Sequence, residues 1–222
     1  MNLTVLTSIT GGKDRIIDKQ EGNAEFVAYL DHACMSDTWR TLPCPNVFTD
    51  PRRNSRIPKI LASKFVSSEY SLWIDGNIRI LKDPEALAQK YLKDHDIAVY
   101  KHPQRDCIYD EAKVCAMRML DDPELIIAQA KAYEDSGYAK HKGLNECGII
   151  FRRHTPKIEA FENEWWAQYT CYSRRDQISF MYAVDKIGLR VNSISDFFVD
   201  IEPTRAVKQS GDFEIVVHQH PA

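Results

Sequence analysis

Four kinds of segment are missing from this 222-residue sequence, and each absence narrows the class of protein. The N-terminus has no charged region followed by a long apolar one, so we expect no signal peptide. No apolar run is long enough to cross a membrane, so we expect no transmembrane segment. There is also no internal repeat and no low-complexity stretch, which argues against a solenoid or a repeat array.

Cysteine pairs are missing as well. The chain has six cysteines but no Cys-x-x-Cys pair, so we expect neither a zinc ribbon nor a dithiol redox motif. Scattered single cysteines in a chain of this length are typical of free thiols in a reducing compartment, and we predict a cytoplasmic location. The six are Cys34, Cys44, Cys107, Cys115, Cys147 and Cys171.

Neither sign of charge is in large excess. Lys and Arg number 29 and Asp and Glu number 32, a formal net charge of -3, so we expect no nucleic-acid partner. The hydrophobic content of 44% and the charged content of 27% are ordinary for a soluble globular protein. A chain of this length can bury a sizeable core, so we predict a single α/β domain over residues 1–222.

The stretch that organises the rest of the chain covers residues 70–81. Residues 70–74 are aromatic and β-branched, as in a buried strand, and Asp75 follows where the apolar run stops. Gly76 permits a sharp turn, and Asn77 offers a second oxygen. A carboxylate at the end of a buried strand is costly without a partner, and oxygen ligands suit Mg²⁺ or Mn²⁺. The alternative is a plain hairpin turn, because Asp-Gly pairs are common in hairpins.

A basic segment directly precedes this strand. Ser55 fits the N-cap of a helix and Pro58 fits its first turn. Arg56 and Lys59 are three residues apart, so they share a helix face, and cations near a helix start can hold a diphosphate. We predict that these two contact the nucleotide, although a charge run is often only a solvated face. The neighbouring cations expected to be mainly solvated are Arg52, Arg53 and Lys64.

Strands alternate with helices along the chain, which predicts a mostly parallel sheet. Residues 3–9 predict a first strand that ends in the loop Gly11-Gly12, and this loop either approaches a nucleotide or is a plain turn. Residues 25–31 predict a second strand, and Val47-Phe48 predict a short third one. Asp83, followed by proline, predicts the start of a helix.

Further polar groups lie near the ends of later predicted elements. His102 and Arg105 follow a strand predicted over residues 96–100, and Glu111 falls early in the next predicted helix. Two histidines close the chain after a strand predicted over residues 213–217, and such a pair is a candidate for Mn²⁺ ligation. They are His218 and His220.

Asp176 near the start of a late helix has two interpretations. Ser173 fits the N-cap, and Asp176 would then occupy the third helical position of a capping box. Alternatively the carboxylate works on a substrate, because a helix start tolerates an acid well.

Four ordered motifs carry a resemblance to a known family, and they are Arg56-Ile-Pro-Lys59, Trp73-Ile-Asp75-Gly-Asn77, His102-Pro-Gln-Arg105 followed by Tyr109-Asp-Glu111-Ala112, and Arg175-Asp176-Gln177-Ile-Ser-Phe180. Over roughly residues 50–185 the chain resembles the glycosyltransferase-like domain of plants and bacteria that was long catalogued as a domain of unknown function. Members of that family resemble GT-A glycosyltransferases.

The resemblance implies a GT-A fold, a Rossmann-like domain that binds a nucleotide sugar such as a UDP-sugar. In that fold an Asp-x-Asp motif holds Mn²⁺ or Mg²⁺, but here Asn77 replaces the second acid, which puts metal dependence in doubt. The expected metal ligands are Asp75, Asn77, His218 and His220. The nucleotide-binding half would cover about residues 1–100 and the acceptor-side half about residues 101–222. Asn145 and Gly148 resemble residues that line the sugar and acceptor side of GT-A sites.

The expected function is glycosyl transfer from a nucleotide diphosphate sugar to a glycan or another hydroxyl acceptor. A non-catalytic nucleotide-sugar or glycan-binding relative is the alternative. A metal-dependent nuclease or phosphatase would need several clustered acids, and the neighbourhood of Asp75 supplies one. The residues expected at the reacting end are Asp176, Gln177, His102, Arg105 and Glu111.

Overall fold

A computed structural model describes residues 1–196, 198–200 and 207–218. The strands are β1 (Leu3–Ile9), β2 (Glu25–Leu30), β3 (Arg40–Pro43), β4 (Tyr70–Ile74), β5 (Ile78–Ile80), β6 (Ile97–Lys101), β7 (Asn145–Arg153), β8 (Val191–Ile194), β9 (Val199–Asp200), β10 (Val207–Gln209) and β11 (Phe213–Val216). The helices are α1 (Pro51–Ile60), α2 (Pro84–Leu92), α3 (Ile108–Met117), α4 (Pro123–Asp135), α5 (Pro156–Cys171) and α6 (Asp176–Ile187).

The larger sheet has seven strands in the order β3-β2-β1-β4-β7-β6-β8. β7 runs antiparallel to its neighbours β4 and β6, and the other neighbouring pairs are parallel. This topology confirms the predicted α/β fold with a mostly parallel central sheet.

Both faces of this sheet are covered. In β4, Leu72 and Ile74 pack into a cluster that includes α2, whereas Trp73 between them packs with α5 and α6 on the other face. Because successive residues of a strand point to opposite faces, a strand covered on both sides is apolar over most of its length. The unbroken apolar character of residues 72–74 follows from this burial, since each is at most 1% exposed.

One predicted helix start is confirmed and another is wrong. Asp83 caps α2, because its carboxylate accepts a hydrogen bond from the first turn and proline follows. The start predicted at Ser55 is wrong, since α1 begins at Pro51 and Asp50 is its N-cap. Asp50-Pro51 carries the same cap-and-proline signal one turn earlier, so Pro58 lies inside the helix.

The short strand predicted at Val47-Phe48 is also wrong. The third strand is β3, and the backbone N–H groups of Val47 and Phe48 donate to the Asn54 side-chain oxygen at 3.0 and 2.8 Å. These hydrogen bonds replace a strand ladder and hold the loop before α1 against that helix.

The capping box predicted for α6 is not formed. The helix begins at Asp176, and the hydroxyl of Ser173 donates to the Gln129 side chain at 2.6 Å instead. Ser173 is buried between α4 and the residues that precede α6, so its hydroxyl needs a partner there. Asp176 is therefore the first residue of α6 rather than its third.

A second, antiparallel sheet has the order β5-β11-β10-β9. β4 and β5 lie in different sheets, so the hairpin alternative for Asp75-Gly76-Asn77 is wrong, although Ile78 N donates to Asp75 O across a turn at 3.0 Å. The side chain of Ile9 packs closely against the backbone of Gly76, and a Cβ on Gly76 would lie 2.6 Å from Cγ1 of Ile9. This position therefore requires glycine. The pairing of β5 with β11 brings the C-terminal strand beside this turn.

All six cysteines are free thiols, as predicted. Among the described residues, no helix combines the length and the apolar composition needed to cross a membrane.

We expect His154, which follows β7, to make the folded state less stable as the pH falls from about 6.5 to about 4. Burial and the neighbouring Arg152 lower the pKa of His154 from 6.5 to about 4. Between these pH values the unfolded chain binds a proton that the folded chain excludes, so stability is lost on acidification. Urea unfolding across this pH range should show a weaker pH dependence for His154→Gln than for the wild type. The exposed His32 provides the control variant His32→Gln, and equal pH dependence in all three proteins would contradict the assignment.

Candidate functional site

A polar cavity of about 300 Å³ opens at the carboxyl end of β4. Residues of α1, of the turn after β4, of β7, of the start of α6 and of the C-terminal segment line it together. The residues predicted from sequence that line this cavity are Arg56, Lys59, Asp75, Asn77, Gly148, Asp176, Gln177 and His218.

Lys59 is the centre of an ion network in this cavity. Its ammonium lies 2.7 Å from Oδ2 of Asp176 and 3.3 Å from Oδ1 of Asp75, and its side chain is 2% exposed. Nε of Arg56 lies 3.2 Å from the same oxygen of Asp176. The three-residue spacing puts Arg56 and Lys59 on the face of α1 that meets the start of α6. Two cations and two carboxylates therefore balance in charge.

This network keeps Asp176 ionised. Burial by itself would raise the pKa of Asp176, but Lys59 and Arg56 outweigh that effect and hold the pKa well below its usual range. Burial likewise opposes the charge on Arg56, yet Asp176 and Asp75 raise its pKa. The site therefore holds a buried carboxylate at the start of a helix, where backbone N–H groups also favour negative charge.

Asp75 is held by the elements on either side of it. Nε1 of Trp73 donates to Oδ1 of Asp75 at 2.9 Å, and the backbone N–H of Asp75 donates to Gly148 O at 2.8 Å. Among the described residues, the side-chain contacts of Asp75 are made by Oδ1. The other oxygen, Oδ2, is directed towards Gly148, where a Cβ would lie 3.6 Å from it.

The C-terminal segment returns to this turn. Asn77 and Val216 exchange two hydrogen bonds, in which Nδ2 of Asn77 donates to Val216 O at 2.8 Å and Val216 N donates to Asn77 O at 3.0 Å. Two residues later, Nδ1 of His218 lies 2.9 Å from Oδ2 of the buried Asp14. The other predicted histidine, His220, lies outside the described residues.

The donor types near this turn are those that a hard or borderline divalent cation accepts. Asp75 contributes a carboxylate oxygen, and the hydrogen bond from Nδ2 of Asn77 leaves its amide oxygen as an acceptor. If Nδ1 of His218 carries the proton shared with Asp14, Nε2 has the lone pair that metals bind. Carboxylate, amide and imidazole donors together suit Mn²⁺ or Mg²⁺.

His102, Arg105 and Glu111 form a cluster of their own. Nε of Arg105 donates to Glu111 Oε2 at 2.7 Å, and NH2 of Arg105 lies 3.1 Å from Nε2 of His102. Burial and Arg105 lower the pKa of His102. These three do not line the cavity at Asp75, but both Arg105 and Glu111 influence the pKa of Glu146, which does. The cluster is therefore a neighbour of the cavity.

Asn145 lies outside the cavity at Asp75. It is 1% exposed, and its amide nitrogen donates to Tyr100 O at 3.2 Å and to the Ser193 hydroxyl at 3.1 Å. These bonds join β7 to β6 and β8 inside the sheet, and Asn145 does not line the cavity. Its position suits a structural role at the register shift between Val99 and Tyr100.

Sequence reasoning missed four polar residues of this region. Lys13, Glu146 and Arg175 line the cavity, and Asp14 supports His218. Burial raises the pKa of Glu146. Each of the four lies within two residues of a feature that was recognised, but nearness in sequence alone does not say which way a side chain points.

A second and larger cavity, of about 670 Å³, lies at the carboxyl ends of β1 and β2. Thr10, Gly11 and Asp31 line it, together with the loop between β3 and α1. The backbone N–H of Gly11 donates to Oδ2 of Asp31 at 2.6 Å. Gly11 and Gly12 adopt left-handed φ angles of 66° and 60°, which glycine tolerates best. The loop predicted after the first strand thus borders a cavity large enough for a planar ring system.

Comparison with solved structures supports the fold. The bifunctional glycosyltransferase WbbM superposes with a TM-score of 0.53 at 12% sequence identity, covering 86% of this chain and 38% of WbbM. At this identity the likeness speaks for the fold alone, and it is the GT-A fold that the resemblance implied.

Two curated proteins of Arabidopsis thaliana are similar in sequence. The probable hexosyltransferase MUCI70 is 30% identical in an alignment of 183 residues that covers 77% of this chain and 32% of MUCI70. The alkaline ceramidase TOD1 is 26% identical in an alignment of 158 residues that covers 66% of this chain and 34% of TOD1. The chain thus spans about a third of the length of each of these relatives.

A family model matches most of the chain. The model of the TOD1/MUCI70 glycosyltransferase-like domain matches residues 19–211, which include β2 to β10 and every residue of the Arg56, Lys59, Asp75 and Asp176 network. The chain belongs to the TOD1/MUCI70 glycosyltransferase-like domain family.

Proposed function

We propose that this chain is a glycosyltransferase that moves a hexosyl group from a nucleoside diphosphate sugar, in the first instance a UDP-sugar, to a hydroxyl of a glycan. The observation that carries the proposal is the convergence, in one cavity, of the strand-end Asp75, the basic face of α1 and the ionised Asp176. These groups match the needs of a sugar donor whose leaving diphosphate gains negative charge during transfer.

The net positive charge for the diphosphate would come from Lys13 and a bound cation. Arg56 and Lys59 are already balanced by Asp75 and Asp176, so the network alone offers little net attraction to an anion. Burial, Arg56 and Arg52 lower the pKa of Lys13, which indicates crowding of cations beside the cavity. An anionic ligand would relieve this crowding.

Lys59 and Arg56 would then have different roles. Lys59 is 1% exposed as a residue and forms ion pairs with both carboxylates, so it would position Asp75 and Asp176. Arg56 is more exposed and lies beside Lys13, so its remaining N–H groups would face the phosphates. When bound, Mn²⁺ or Mg²⁺ would supply Lewis-acid stabilisation of the leaving diphosphate, with Asp75, Asn77 and His218 as its protein ligands.

The two cavities suggest how the donor lies. The nucleoside would occupy the larger one, in the half of the chain that covers about residues 1–100, next to Gly11 and Asp31. The sugar would then lie near Asp176 and Gln177. The glycan acceptor would approach from the half that covers about residues 101–222, past Glu146 and the His102, Arg105 and Glu111 cluster.

Calorimetry with UDP in the presence and absence of Mn²⁺ tests the donor site. Asp75→Ala removes a metal ligand worth several kcal/mol, so Mn²⁺-dependent binding should weaken by at least ~100-fold. Asp94→Ala, which removes an exposed carboxylate far along the chain from the cavity, should bind like the wild type. Unchanged binding by Asp75→Ala would remove this residue from the metal site.

The reaction itself is tested with a panel of nucleotide sugars, with and without oligosaccharide acceptors. Sugar transfer or slow donor hydrolysis would support the proposal. Tight binding without turnover for any donor would favour the non-catalytic relative instead. Because the family includes a protein named as a ceramidase, a ceramide belongs in the panel, and cleavage of ceramide with no sugar transfer would overturn the proposal.

A further inference from the structure

We propose that Cys107, Asp110 and His141 bind a divalent cation of the zinc class at the start of α3, at a site separate from the cavity at Asp75. One ligand atom of each residue lies within 4.8 Å of those of the other two. None of the three lines the cavity at Asp75. This inference does not rest on the proposed transferase function.

The donor set selects the class of metal. A thiolate is a soft ligand, an imidazole is borderline and a carboxylate is hard, and Zn²⁺ binds all three, whereas Mg²⁺ prefers oxygen ligands alone. Three protein ligands leave the fourth tetrahedral position for water. The two cation sites of the chain would therefore differ in chemistry, with mainly oxygen donors at Asp75 and sulfur and nitrogen at Cys107.

A supporting hydrogen bond orients the histidine. Oδ1 of Asp106 lies 2.8 Å from Nδ1 of His141, and Asp106 O accepts a hydrogen bond from Gly143 N at 2.9 Å. A carboxylate on one ring nitrogen is the usual support for a histidine that binds metal through the other. His141 also has a left-handed φ of 58°, which is unusual for a residue with a Cβ and which these bonds maintain.

Cys107 and Asp110 are placed by the helix itself. Cys107 is the N-cap residue of α3, yet its side chain makes no capping hydrogen bond, and Asp110 follows in the first turn. The N-terminus of a helix stabilises a negatively charged ligand set such as thiolate and carboxylate. Asp110 contacts Lys113 at 3.4 Å, and the two side chains are 46% and 69% exposed, so this weak pair would yield to a metal.

The metal would fasten the loop after α4 to the start of α3. That start directly follows Arg105, which holds His102 and Glu111 together beside Glu146. A loaded site would therefore rigidify the wall that neighbours the cavity on the proposed acceptor side. The alternative is that Cys107 is a buried apolar side chain and that Asp106 and His141 form an ordinary surface pair.

Titration of the metal-free, untagged chain with Co²⁺ provides the test. We expect one Co²⁺ per chain at this site, seen as a thiolate-to-cobalt charge-transfer band, and Zn²⁺ should abolish the band by displacement. Zn²⁺ should also raise the melting temperature. Asp106→Asn should weaken binding by ~10- to 100-fold, the range for a residue that supports a metal ligand.

Control variants separate this site from the cavity at Asp75. His141 is exposed, so His141→Ala should fold normally and lose the band. A folded Cys107→Ser protein should also lose the band. Cys147→Ser should keep the band, because burial raises the pKa of the Cys147 thiol well above its usual value and it lines the other cavity. Absence of the band in the wild type, its survival in His141→Ala, or its loss in Cys147→Ser would each overturn the proposal.

Discussion

Replacing Lys59 by methionine is expected to lower the free energy of unfolding by about 3–5 kcal/mol, the usual cost of removing one partner from a buried ion pair. Methionine fills a similar volume, so the loss comes from charge rather than from a cavity. Lys59 is 1% exposed and contacts both Asp75 and Asp176, and the second of these carboxylates is also buried. Urea unfolding at neutral pH measures the change.

Two further variants check the cause. Lys64→Met removes an exposed lysine four residues after the end of α1, and it should change stability by no more than ~0.5 kcal/mol. The double variant Lys59→Met with Asp176→Asn removes both partners, so it should lose less stability than the sum of the single variants. A Lys59→Met protein as stable as Lys64→Met would show that the network does not carry the energy assigned to it.

Asp176→Asn is expected to lower turnover by at least ~100-fold, the lower end of what the loss of one preorganised electrostatic group costs. Asparagine keeps the shape and accepts hydrogen bonds, but it carries no charge. The ion contacts with Lys59 and Arg56 hold the pKa of Asp176 low against the effect of burial, so the wild type presents an ionised carboxylate to the cavity at neutral pH. Steady-state kinetics well below the melting temperature measures turnover. Calorimetry measures donor affinity separately.

Ser173→Ala is the matched control for this variant. The sequence pairs Ser173 with Asp176 in a capping box, but the hydroxyl donates to Gln129 instead. Its loss should therefore lower the melting temperature and leave turnover unchanged. If Asp176→Asn destabilises the protein while its turnover stays near that of the wild type, Asp176 serves the fold and not the reaction.

Short sequence patterns correctly predicted the elements whose structure depends mainly on residues that are close together in the chain. The apolar run that ends at Asp75 identified β4, because a strand buried on both faces has few polar positions along its length. The three-residue spacing of Arg56 and Lys59 predicted a shared face of α1, and both contact Asp176 from that face. The cap-and-proline signal predicted α2 from Asp83.

The predictions were wrong where a residue or strand pairs with a segment far along the chain instead of with its sequence neighbours. Ser173 has the chemistry of an N-cap, but a buried amide on α4 takes its hydroxyl. Asp-Gly-Asn has the chemistry of a hairpin, but β5 pairs with β11 from the far end of the chain. Arg53 was expected to be solvated, yet it donates to the backbone oxygens of Tyr169 and Tyr172 at the end of α5.

By itself the sequence determined the strand that presents Asp75, the basic face of α1 and the family of the chain, because these depend on residue order and on short periodic spacing. Only the tertiary structure decided that Asp14 supports His218, that Glu146 and Lys13 join the cavity, and that Asn145 lies inside the sheet. Each of these depends on a contact between residues far apart in the chain. Such contacts arise from packing and sheet pairing, in which a partner is selected by shape, burial and charge together rather than by its distance along the sequence.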